Sequence, residues 1–296
     1  EDIPDSNTTE NTVNSIVTTN PSQVIQTNEI EGWPDGPSVL AESAIVMEAS
    51  TGTILYEKNI NDAHYPASIT KIMTTLLALE NSSLDEIVTF STDAVFGIER
   101  NSSHIGIDVG EQLTMEQCLY AIMLASANEV SYAVAEHVGG DIDTFIKMMN
   151  DRAKELGCLN TNFVNANGLP NENHYTSAYD MALITKAALE NDTFSKISST
   201  KTYTIPPTNI QPETRDFENH HKMVRNTKYY YDGCFGGKTG YTIVAKNTSV
   251  TFANKNNMDL ICVTMKTEGT QVYTDTATLL DYGFNNFQKI NVLENE

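Results

Sequence analysis

Strand-like segments lie at both ends of the folded part of this chain, and helix-like segments lie between them. Residues 44–57 have the pattern of strand, turn and strand, and β-type runs return at 201–205, 248–253 and 260–265. In between, apolar residues recur every three to four positions, as they do in helices. This order predicts one sheet assembled from the two ends of the chain, with helices beside it, in an α/β fold of the α+β type.

Six helices are predicted from periodicity, caps and terminating glycines. Ser68 precedes the first, Thr114 and Gln117 form a capping box at the second, and Ser177 and Asp180 cap the fifth. The others cover 129–138, 145–156 and 272–282.

The composition separates an N-terminal segment from the rest of the chain. Residues 1–36 are rich in Asn, Thr, Ser and acid, and no lysine or arginine precedes Lys58. Such a segment buries too little apolar surface to offset its ordering entropy, so we expect a disordered tail or tether. Residues 37–296 are then one domain, with its helical lobe at about 85–190.

Composition and charge exclude two classes of protein. The chain has 296 residues, of which 40% are hydrophobic, and its net charge is −21, which argues against nucleic-acid binding. The sequence contains no run of eighteen apolar residues, which argues against a membrane span.

There is no initiator Met and no signal-like start, so we expect a mature form from which any signal has been removed.

The cysteine pattern does not predict a metal site or any other cofactor. Cys118, Cys158, Cys234 and Cys262 stand alone, without the pairing or nearby His ligands that zinc sites use. Two disulfides are an open alternative, but we favour buried free thiols because Cys118 and Cys262 lie in apolar runs.

A Ser-x-x-Lys string at the start of the first helix is the first candidate for chemistry. Three residues apart on a helix places Lys71 within reach of Ser68, and a serine hydroxyl needs a neighbouring base to become a nucleophile. Lysine can be that base only if burial or another cation lowers its pKa. Ser198 and Lys201 have the same spacing, but no apolar helix follows them, and we treat them as a decoy.

Two further strings follow in a fixed order. Ser126-Ala127-Asn128 lies between two apolar helices, where it is either an N-cap or a hydroxyl and an amide that face the nucleophile. Lys238-Thr239-Gly240 precedes a β-type segment, where it is either an edge strand with a protective lysine or a substrate-binding strand whose glycine admits another backbone.

The three strings together are those of penicillin-binding proteins and class A β-lactamases. With their neighbourhoods, from about residue 32 to residue 287, the chain resembles the low-molecular-mass penicillin-binding proteins that are serine-type D-alanyl-D-alanine carboxypeptidases. The resemblance implies a β-lactamase/DD-peptidase-like fold, with an antiparallel sheet flanked by helices plus an all-helical lobe. It also implies peptidoglycan stem peptides as substrates, β-lactam antibiotics as covalent inhibitors, and an extracytoplasmic location.

The resemblance assigns the catalytic roles to the first two strings. Ser68 would form the acyl-enzyme and Lys71 would take its proton. Ser126 would relay a proton to the leaving D-Ala, and Asn128 would hold the substrate amide.

The third string would bind the substrate. Lys238 would keep Lys71 deprotonated and attract the terminal carboxylate, to which Thr239 would donate a hydrogen bond. Gly240 belongs to the same substrate-binding strand, and the N–H of Tyr241 would share the oxyanion hole with that of Ser68.

The chain departs from the family pattern in three places. Ala127 replaces a frequent glycine, which we expect to be harmless, and Tyr273 falls where some members have a basic residue that concerns carboxylate recognition. Many members continue into a β-rich domain and an amphipathic membrane-anchoring helix. Membrane association would therefore need a segment outside this sequence, which ends at Glu296.

Three alternatives to a carboxypeptidase remain open. A β-lactamase would need a deacylating glutamate between the second and third strings, but residues 160–170 contain no Glu or Asp. A non-catalytic penicillin- or wall-binding module usually loses a motif residue, and none is lost here. A DD-endopeptidase would use the same residues.

The histidines and a tyrosine run are rated lower. His220 and His221 are adjacent and would point to opposite faces of a strand, which disfavours a shared metal or base role. His64 and His174 either line the cleft or, as we favour, lie at the surface. For residues 229–231 we favour a packed strand end over a stacking platform.

Overall fold

The computed structural model describes residues 30–99 and 101–290. The predicted tail therefore lies outside the described residues as far as residue 29 and stays a prediction. Residues 30–36 of the predicted tail are described, and Trp33 among them packs on Phe287 with ring centroids 5.0 Å apart. The indole N–H of Trp33 donates to the carbonyl of Leu55. In chain order the elements are β1 (Ser43–Glu48), β2 (Ile54–Lys58), α1 (Lys71–Asn81), β3 (Ile87–Thr89), α2 (Thr92–Phe96), β4 (Gln112–Thr114), α3 (Met115–Tyr120), α4 (Asn128–Gly139), α5 (Ile142–Glu155), α6 (Ala178–Leu189), α7 (Asp192–Ser199), β5 (Thr202–Ile205), β6 (Arg215–Glu218), β7 (Cys234–Thr242), β8 (Lys246–Lys255), β9 (Met258–Thr267) and α8 (Gln271–Asn286).

The main sheet has five antiparallel strands in the order β2-β1-β9-β8-β7. Strand β1 from the N-terminal end pairs with β9 from the C-terminal end, and Val46 lies opposite Cys262. The predicted sheet from the two ends of the chain is confirmed. Among the described residues β7 has a partner on one side only, so its other edge is available to a ligand's backbone.

The two faces of β1 bury different cores because successive side chains on a strand point to opposite sides. Ala44 and Val46 face α8, whose Leu279 and Leu280 are fully buried. Ile45 and Met47 face the larger core that contains α1, α4 and α6. The sheet is therefore covered by helices on both sides.

The helical lobe comprises the segment from β3 to α5, and its internal packing positions the second string. Helix α4 packs against α1, α2 and α5, and β3 pairs with β4. The predicted capping box of Thr114 and Gln117 is present, but the helix it opens differs from the prediction. Helix α3 passes into a π-helical turn at Ala121–Ala125 that ends at Ser126.

Other predicted elements agree with the structure within a few residues. The Ser177 cap on Asp180 is present, and the last helix covers 271–286 instead of 272–282. Helix α5 begins at Ile142, earlier than the predicted 145, because Asp141 caps it. The β-type run predicted at 201–205 is strand β5. The short elements α2, α7, β3, β4 and β6 were not predicted, since none is long enough for a periodic pattern.

The cysteines and the tyrosine run can be compared with their predictions. All four cysteines are free, and Cys118, Cys158 and Cys262 are buried, whereas Cys234 is half-buried. The predicted strand end at residues 229–231 is wrong. Tyr229 lies in a turn, and Tyr230 and Tyr231 follow it outside any strand. Tyr231 is buried and Tyr230 is 50% exposed.

Among residues 30–99 and 101–290, no helix has the length and apolar character that crossing a membrane requires.

Candidate active site

Ser68 lies in a tight 3₁₀ turn at Ala67–Thr70 that leads directly into α1. The preceding Ala67 has φ of 52°, a left-handed conformation that is uncommon for alanine. The helix that was predicted to begin at the Ser-x-x-Lys string therefore begins at Lys71, after the turn that contains Ser68. This turn leaves the Ser68 side chain at the surface of a cleft while Lys71, at the start of α1, is fully buried.

Lys71 has three oxygen neighbours. Its Nζ lies 3.0 Å from Ser68 Oγ, 2.7 Å from Asn128 Oδ1 and 2.5 Å from the carbonyl oxygen of Asn167. Burial first, and the positive charge of Lys238 second, hold the pKa of Lys71 well below its usual value, although Glu129 opposes this shift. The environment therefore favours a neutral amine.

The three neighbours fit a neutral amine in one arrangement. A neutral amine has two protons and one lone pair. The Asn128 amide oxygen and the Asn167 carbonyl can only accept hydrogen bonds, so they take the two protons. The lone pair is then left for Ser68, whose hydroxyl can donate. This geometry is that of a base next to its nucleophile.

The second string brings Ser126 and Asn128 to the same cleft. Ser126 is left-handed, with φ of 61° and ψ of 32°, at the end of the π-helical turn. Such strain and π-turns are frequent at functional sites. Asn128 opens α4, and its backbone N–H donates to the carbonyl of Ser103, which lines the cleft. The plain N-cap interpretation is wrong, because no N-cap side-chain hydrogen bond forms at α4.

The third string runs along β7 at the edge of the sheet. Lys238 is 1% exposed, and its Nζ donates to Ser126 Oγ at 3.1 Å and to the carbonyl of Thr239 at 2.9 Å. Burial lowers the pKa of Lys238 to about 7. The protective-lysine interpretation is wrong, since a lysine that guards an edge has to be exposed.

Gly240 lets β7 approach the nucleophile turn. A Cβ atom there would lie 2.7 Å from the backbone nitrogen of Ser68 and 2.6 Å from Thr248 Oγ1. The sequence-based expectation that this glycine admits another backbone is confirmed. Beyond it, Thr239 lines the cleft, and Tyr241 lines it with 62% of its side chain exposed.

The loop of residues 160–170 contacts Lys71, the candidate base. The sequence did not indicate this contact. Asn167 supplies the carbonyl oxygen that Lys71 contacts. Gly168 has φ of +89°, and a Cβ atom on it would lie 1.9 Å from the carbonyl oxygen of Ala67. Asn165 Oδ1 accepts from the Gly168 N–H at 2.7 Å. The run of Asn residues ending in Gly is a turn signal that could have drawn attention to this loop.

His174 ties this loop to the nucleophile turn. It is 1% exposed, so its expected surface position is wrong. Its Nδ1 accepts from the Val164 N–H at 3.0 Å, which leaves Nε2 to donate to Thr70 Oγ1 at 2.9 Å. Burial and the charge of Lys71 lower the pKa of His174 to about 3, so the ring is neutral.

The other histidines differ in their environments. His220 lines the cleft and His221 is buried beside Thr251, so the two side chains diverge as expected, although they are not in a strand. Burial lowers the pKa of each to about 4. His64 is half-buried, 2.7 Å from Ser43 Oγ, so its expected surface position is only partly met.

The structure separates the decoy from the cleft. Ser198 is fully buried in the last turn of α7 and donates to the carbonyl of Phe194 at 2.5 Å. No helix follows Lys201, which is exposed.

The cleft has a volume of about 320 Å³ between β7, the helical lobe and the loop of residues 160–170. Its walls include Ser68, Ser103, Ser126, Asn128, Asn167, His220, Thr239, Gly240, Tyr241 and Tyr273. Six of the eight predicted site residues line the cleft. The other two lie beneath its wall, where Lys238 contacts Ser126 and Lys71 contacts Ser68. Within the described part of the chain, no group of three or more His, Cys, Asp or Glu side chains could hold a metal ion.

A family model described as D-alanyl-D-alanine carboxypeptidase matches residues 30–269. DacF of Bacillus subtilis, a D-alanyl-D-alanine carboxypeptidase, is 37% identical over 260 residues, which are 84% of this chain and 63% of DacF. DacB2 of Mycobacterium tuberculosis, of the same description, is 30% identical over 85% of this chain and 84% of its own length. The chain thus spans less than two thirds of DacF and most of DacB2.

Solved structures agree with this likeness. The DD-transpeptidase of Streptomyces K15 is 29% identical, with a TM-score of 0.79 over 85% of this chain and 100% of that one. A penicillin-binding protein homologue from Mycobacterium tuberculosis is 27% identical, with a TM-score of 0.80 over 88% of this chain and 98% of that one. The predicted DD-peptidase-like fold is confirmed.

Proposed function

The chain belongs to the D-alanyl-D-alanine carboxypeptidase family, and from this premise we propose that it removes the terminal D-Ala from peptidoglycan stem peptides through an acyl-enzyme on Ser68. The observation that carries the proposal is the environment of the fully buried Lys71 amine. Two oxygens, of Asn128 and Asn167, accept its protons, and its Nζ lies 3.0 Å from Ser68 Oγ. A serine beside a neutral amine base is equipped for acyl transfer.

In the acylation step the Lys71 lone pair takes the Ser68 proton while Oγ attacks the carbonyl carbon of the penultimate D-Ala. The negative charge that develops on the carbonyl oxygen is stabilised by the backbone N–H groups of Ser68 and Tyr241. Gly240 allows this because it brings β7 against the Ser68 backbone.

In the second half of acylation the C–N bond breaks and the leaving amine needs a proton. Ser126 donates its hydroxyl proton to that nitrogen and regains one from Lys238, 3.1 Å away. The terminal D-Ala departs as the free amino acid. A water molecule then attacks the ester on Ser68 and gives a proton through Ser126 back to Lys238. Lys71 returns its proton to Ser68 Oγ as the ester bond breaks, and the shortened peptide is released.

The substrate backbone adds to the free edge of β7, a common mode of peptide binding. Asn128 holds the substrate amide. The Thr239 hydroxyl and the charge of Lys238 bind the terminal carboxylate. Tyr273 lines the cleft as an uncharged ring, so it adds no cation to this task.

The same geometry accounts for penicillin binding and disfavours a β-lactamase. A β-lactam acylates Ser68 as the peptide does. The loop of residues 160–170 presents a backbone carbonyl to Lys71 and has no carboxylate to activate water, so the penicilloyl ester is hydrolysed slowly. The non-catalytic module is disfavoured because the motif residues converge on one cleft. A DD-endopeptidase uses the same residues and differs from a carboxypeptidase in the substrate that it cleaves.

The family acts on peptidoglycan, so the protein works outside the cytoplasm, at the outer face of the membrane or in the wall. Its partners are stem peptides and, as inhibitors, β-lactams.

Intact-protein mass spectrometry after incubation with benzylpenicillin tests the proposal. One adduct is expected, it should map to the peptide that contains Ser68, and it should persist because deacylation is slow. Ser68→Ala should abolish it, and Ser198→Ala, at the decoy, should leave it unchanged. An adduct on residues 198–201, or one that survives Ser68→Ala, contradicts the proposed nucleophile. Repeated rapid turnover of benzylpenicillin would favour the β-lactamase.

A further inference from the structure

A cationic and aromatic patch lies beside the cleft of this acidic chain. We define the patch as Lys222, Lys228, Tyr229, Tyr230 and Tyr273. Residues 219–231 contain three of the chain's 18 lysines and arginines and no acid, although the net charge of the whole chain is −21. A local positive surface on a strongly acidic molecule concentrates anionic ligands there.

The two lysines of the patch face aromatic rings, whereas Arg225 between them in the sequence faces a carboxylate. Lys222 Nζ lies 5.8 Å from the Tyr229 centroid and 5.9 Å from that of Tyr273, and Lys228 Nζ lies 4.9 Å from the Tyr229 centroid. Within the described residues neither ammonium has a carboxylate in ion-pair range, whereas Arg225 is paired with Glu218. Both lysines are exposed, so their charges are available to a ligand.

The patch is held in shape by its own turn. The Thr227 hydroxyl donates to the carbonyl of Lys222 at 2.9 Å and accepts from the N–H of Tyr229 at 3.1 Å. The N–H of Tyr230 donates to the carbonyl of Thr227 at 3.0 Å. These bonds fix the spacing of the two lysines and leave the Tyr230 ring 50% exposed.

Tyr273 joins the patch to the cleft. Its ring stacks on Tyr229 with centroids 4.7 Å apart and planes 26° apart, and it also lines the cleft that holds Ser68. A ligand in the cleft can therefore reach the patch across the Tyr273 ring.

We propose that this patch binds the polymeric part of the substrate, a neighbouring stretch of peptidoglycan with its sugar rings and carboxylates, while the cleft holds the reacting peptide end. The exposed Tyr230 ring offers a flat face to sugars, and the two lysines attract carboxylates. The inference rests on the proposed function, which supplies the substrate class, and adds a second contact that a short soluble peptide cannot make.

The test compares a soluble peptide that ends in D-Ala-D-Ala with purified peptidoglycan stripped of phosphate-containing polymers. In the double variant Lys222→Gln/Lys228→Gln, KM for the polymer should rise about three- to tenfold at low salt, the scale for two exposed charges. The soluble peptide should be hydrolysed at the wild-type rate. At about 1 M salt, where screening is nearly complete, the two proteins should become alike.

The matched control is Lys147→Gln/Lys154→Gln on α5, which removes the same number of exposed charges outside the cleft. It should not change either KM. Tyr230→Ser removes the exposed ring and should weaken polymer binding at high salt as well, since ring contacts are not screened.

Binding is measured independently by co-sedimentation of the Ser68→Ala protein with peptidoglycan, which does not depend on turnover. If wild type neither hydrolyses the peptide nor reacts with penicillin, the proposed function fails, and co-sedimentation still tests the patch. Equal losses on peptide and polymer would mean that the lysines act on the cleft, and unchanged polymer binding would remove the patch as a docking site. A loss seen only with a phosphate-rich polymer would assign the patch to that polymer and overturn the proposal.

Discussion

At the scale of single residues, two lysines share one cleft and need opposite charge states. Lys71 acts as a base only when neutral, and Lys238 attracts a carboxylate only when protonated. Both are buried, but only Lys71 has a second cation as a cause of its lowered pKa. The difference in environment separates the roles of two identical side chains.

The pH profile of kcat/KM for a peptide acid should follow from this pair. Burial lowers the pKa of Lys238 to about 7, so its ammonium loses its proton as pH rises through about 7 and the carboxylate loses its partner. We expect kcat/KM to fall by up to about tenfold per pH unit above that point. In Lys238→Gln the remaining activity should lack this limb. A limb that persists in the variant would assign it to another group.

We expect Thr239 to recognise the terminal carboxylate of the substrate. Thr239→Val keeps the side-chain shape and removes the hydroxyl that we propose donates to the carboxylate. A hydrogen bond to a charged group contributes about 1.5–3 kcal/mol, so kcat/KM for the peptide acid should fall about ten- to a hundredfold. A C-terminal amide analogue should react poorly with both proteins and differ much less between them. Equal losses on acid and amide would indicate that Thr239 supports the strand instead.

At the scale of elements, the loop of residues 160–170 should act through its contact with the nucleophile turn. Gly168→Ala places a methyl group 1.9 Å from the Ala67 carbonyl and puts alanine at φ of +89°, so the loop and the turn must separate. We expect acylation by benzylpenicillin to slow by about tenfold or more, because a small displacement of reacting groups has such an effect.

Gly157→Ala is the matched control for this variant. Gly157 has φ of +87° but nothing within 4 Å of the added methyl group, so it has the same backbone strain without the clash. It should lose about 1 kcal/mol of stability and keep its acylation rate. If both variants acylated at the wild-type rate, the loop contact would have no part in catalysis.

The sequence predicted these elements unevenly, and the reason is physical. Long helices with a cap were predicted closely because local signals such as Ser177 with Asp180 determine where they begin. The left-handed Ser126 and the Asn167 carbonyl on Lys71 could not be predicted, because strain and backbone contacts leave no residue pattern. The motif residues were found from their order and their family likeness, and their distances came only with the tertiary structure.

At the scale of the whole molecule, the sheet depends on joining segments that are more than two hundred residues apart. Asp275 on α8 makes one of these joins. Its Oδ2 accepts from the N–H of Leu40 at 3.0 Å and of Ala41 at 2.7 Å, and Oδ1 accepts from Gln271 at 2.9 Å. The carboxylate is 2% exposed and holds the chain in place just before β1.

Asp275→Ala should therefore destabilise the entire domain. The Ala41 N–H, on a residue that is 0% exposed, would lose its partner. We expect a loss of about 3 kcal/mol, which for a domain of this size corresponds to a fall in Tm of about 6–12 °C. The catalytic groups are untouched, so acylation by benzylpenicillin at 25 °C should stay within about threefold of wild type for the folded protein.

Asp281→Ala on the same helix provides the comparison. Asp281 is exposed and accepts one hydrogen bond, from the Tyr231 hydroxyl at 2.8 Å, so its loss should cost about 1 kcal/mol or less. Thermal unfolding followed by circular dichroism measures both variants. Equal, small shifts would mean that water replaces the carboxylate at Leu40 and Ala41. The join between the two ends of the chain would then rest on the β1–β9 pairing and the apolar contacts of α8 alone.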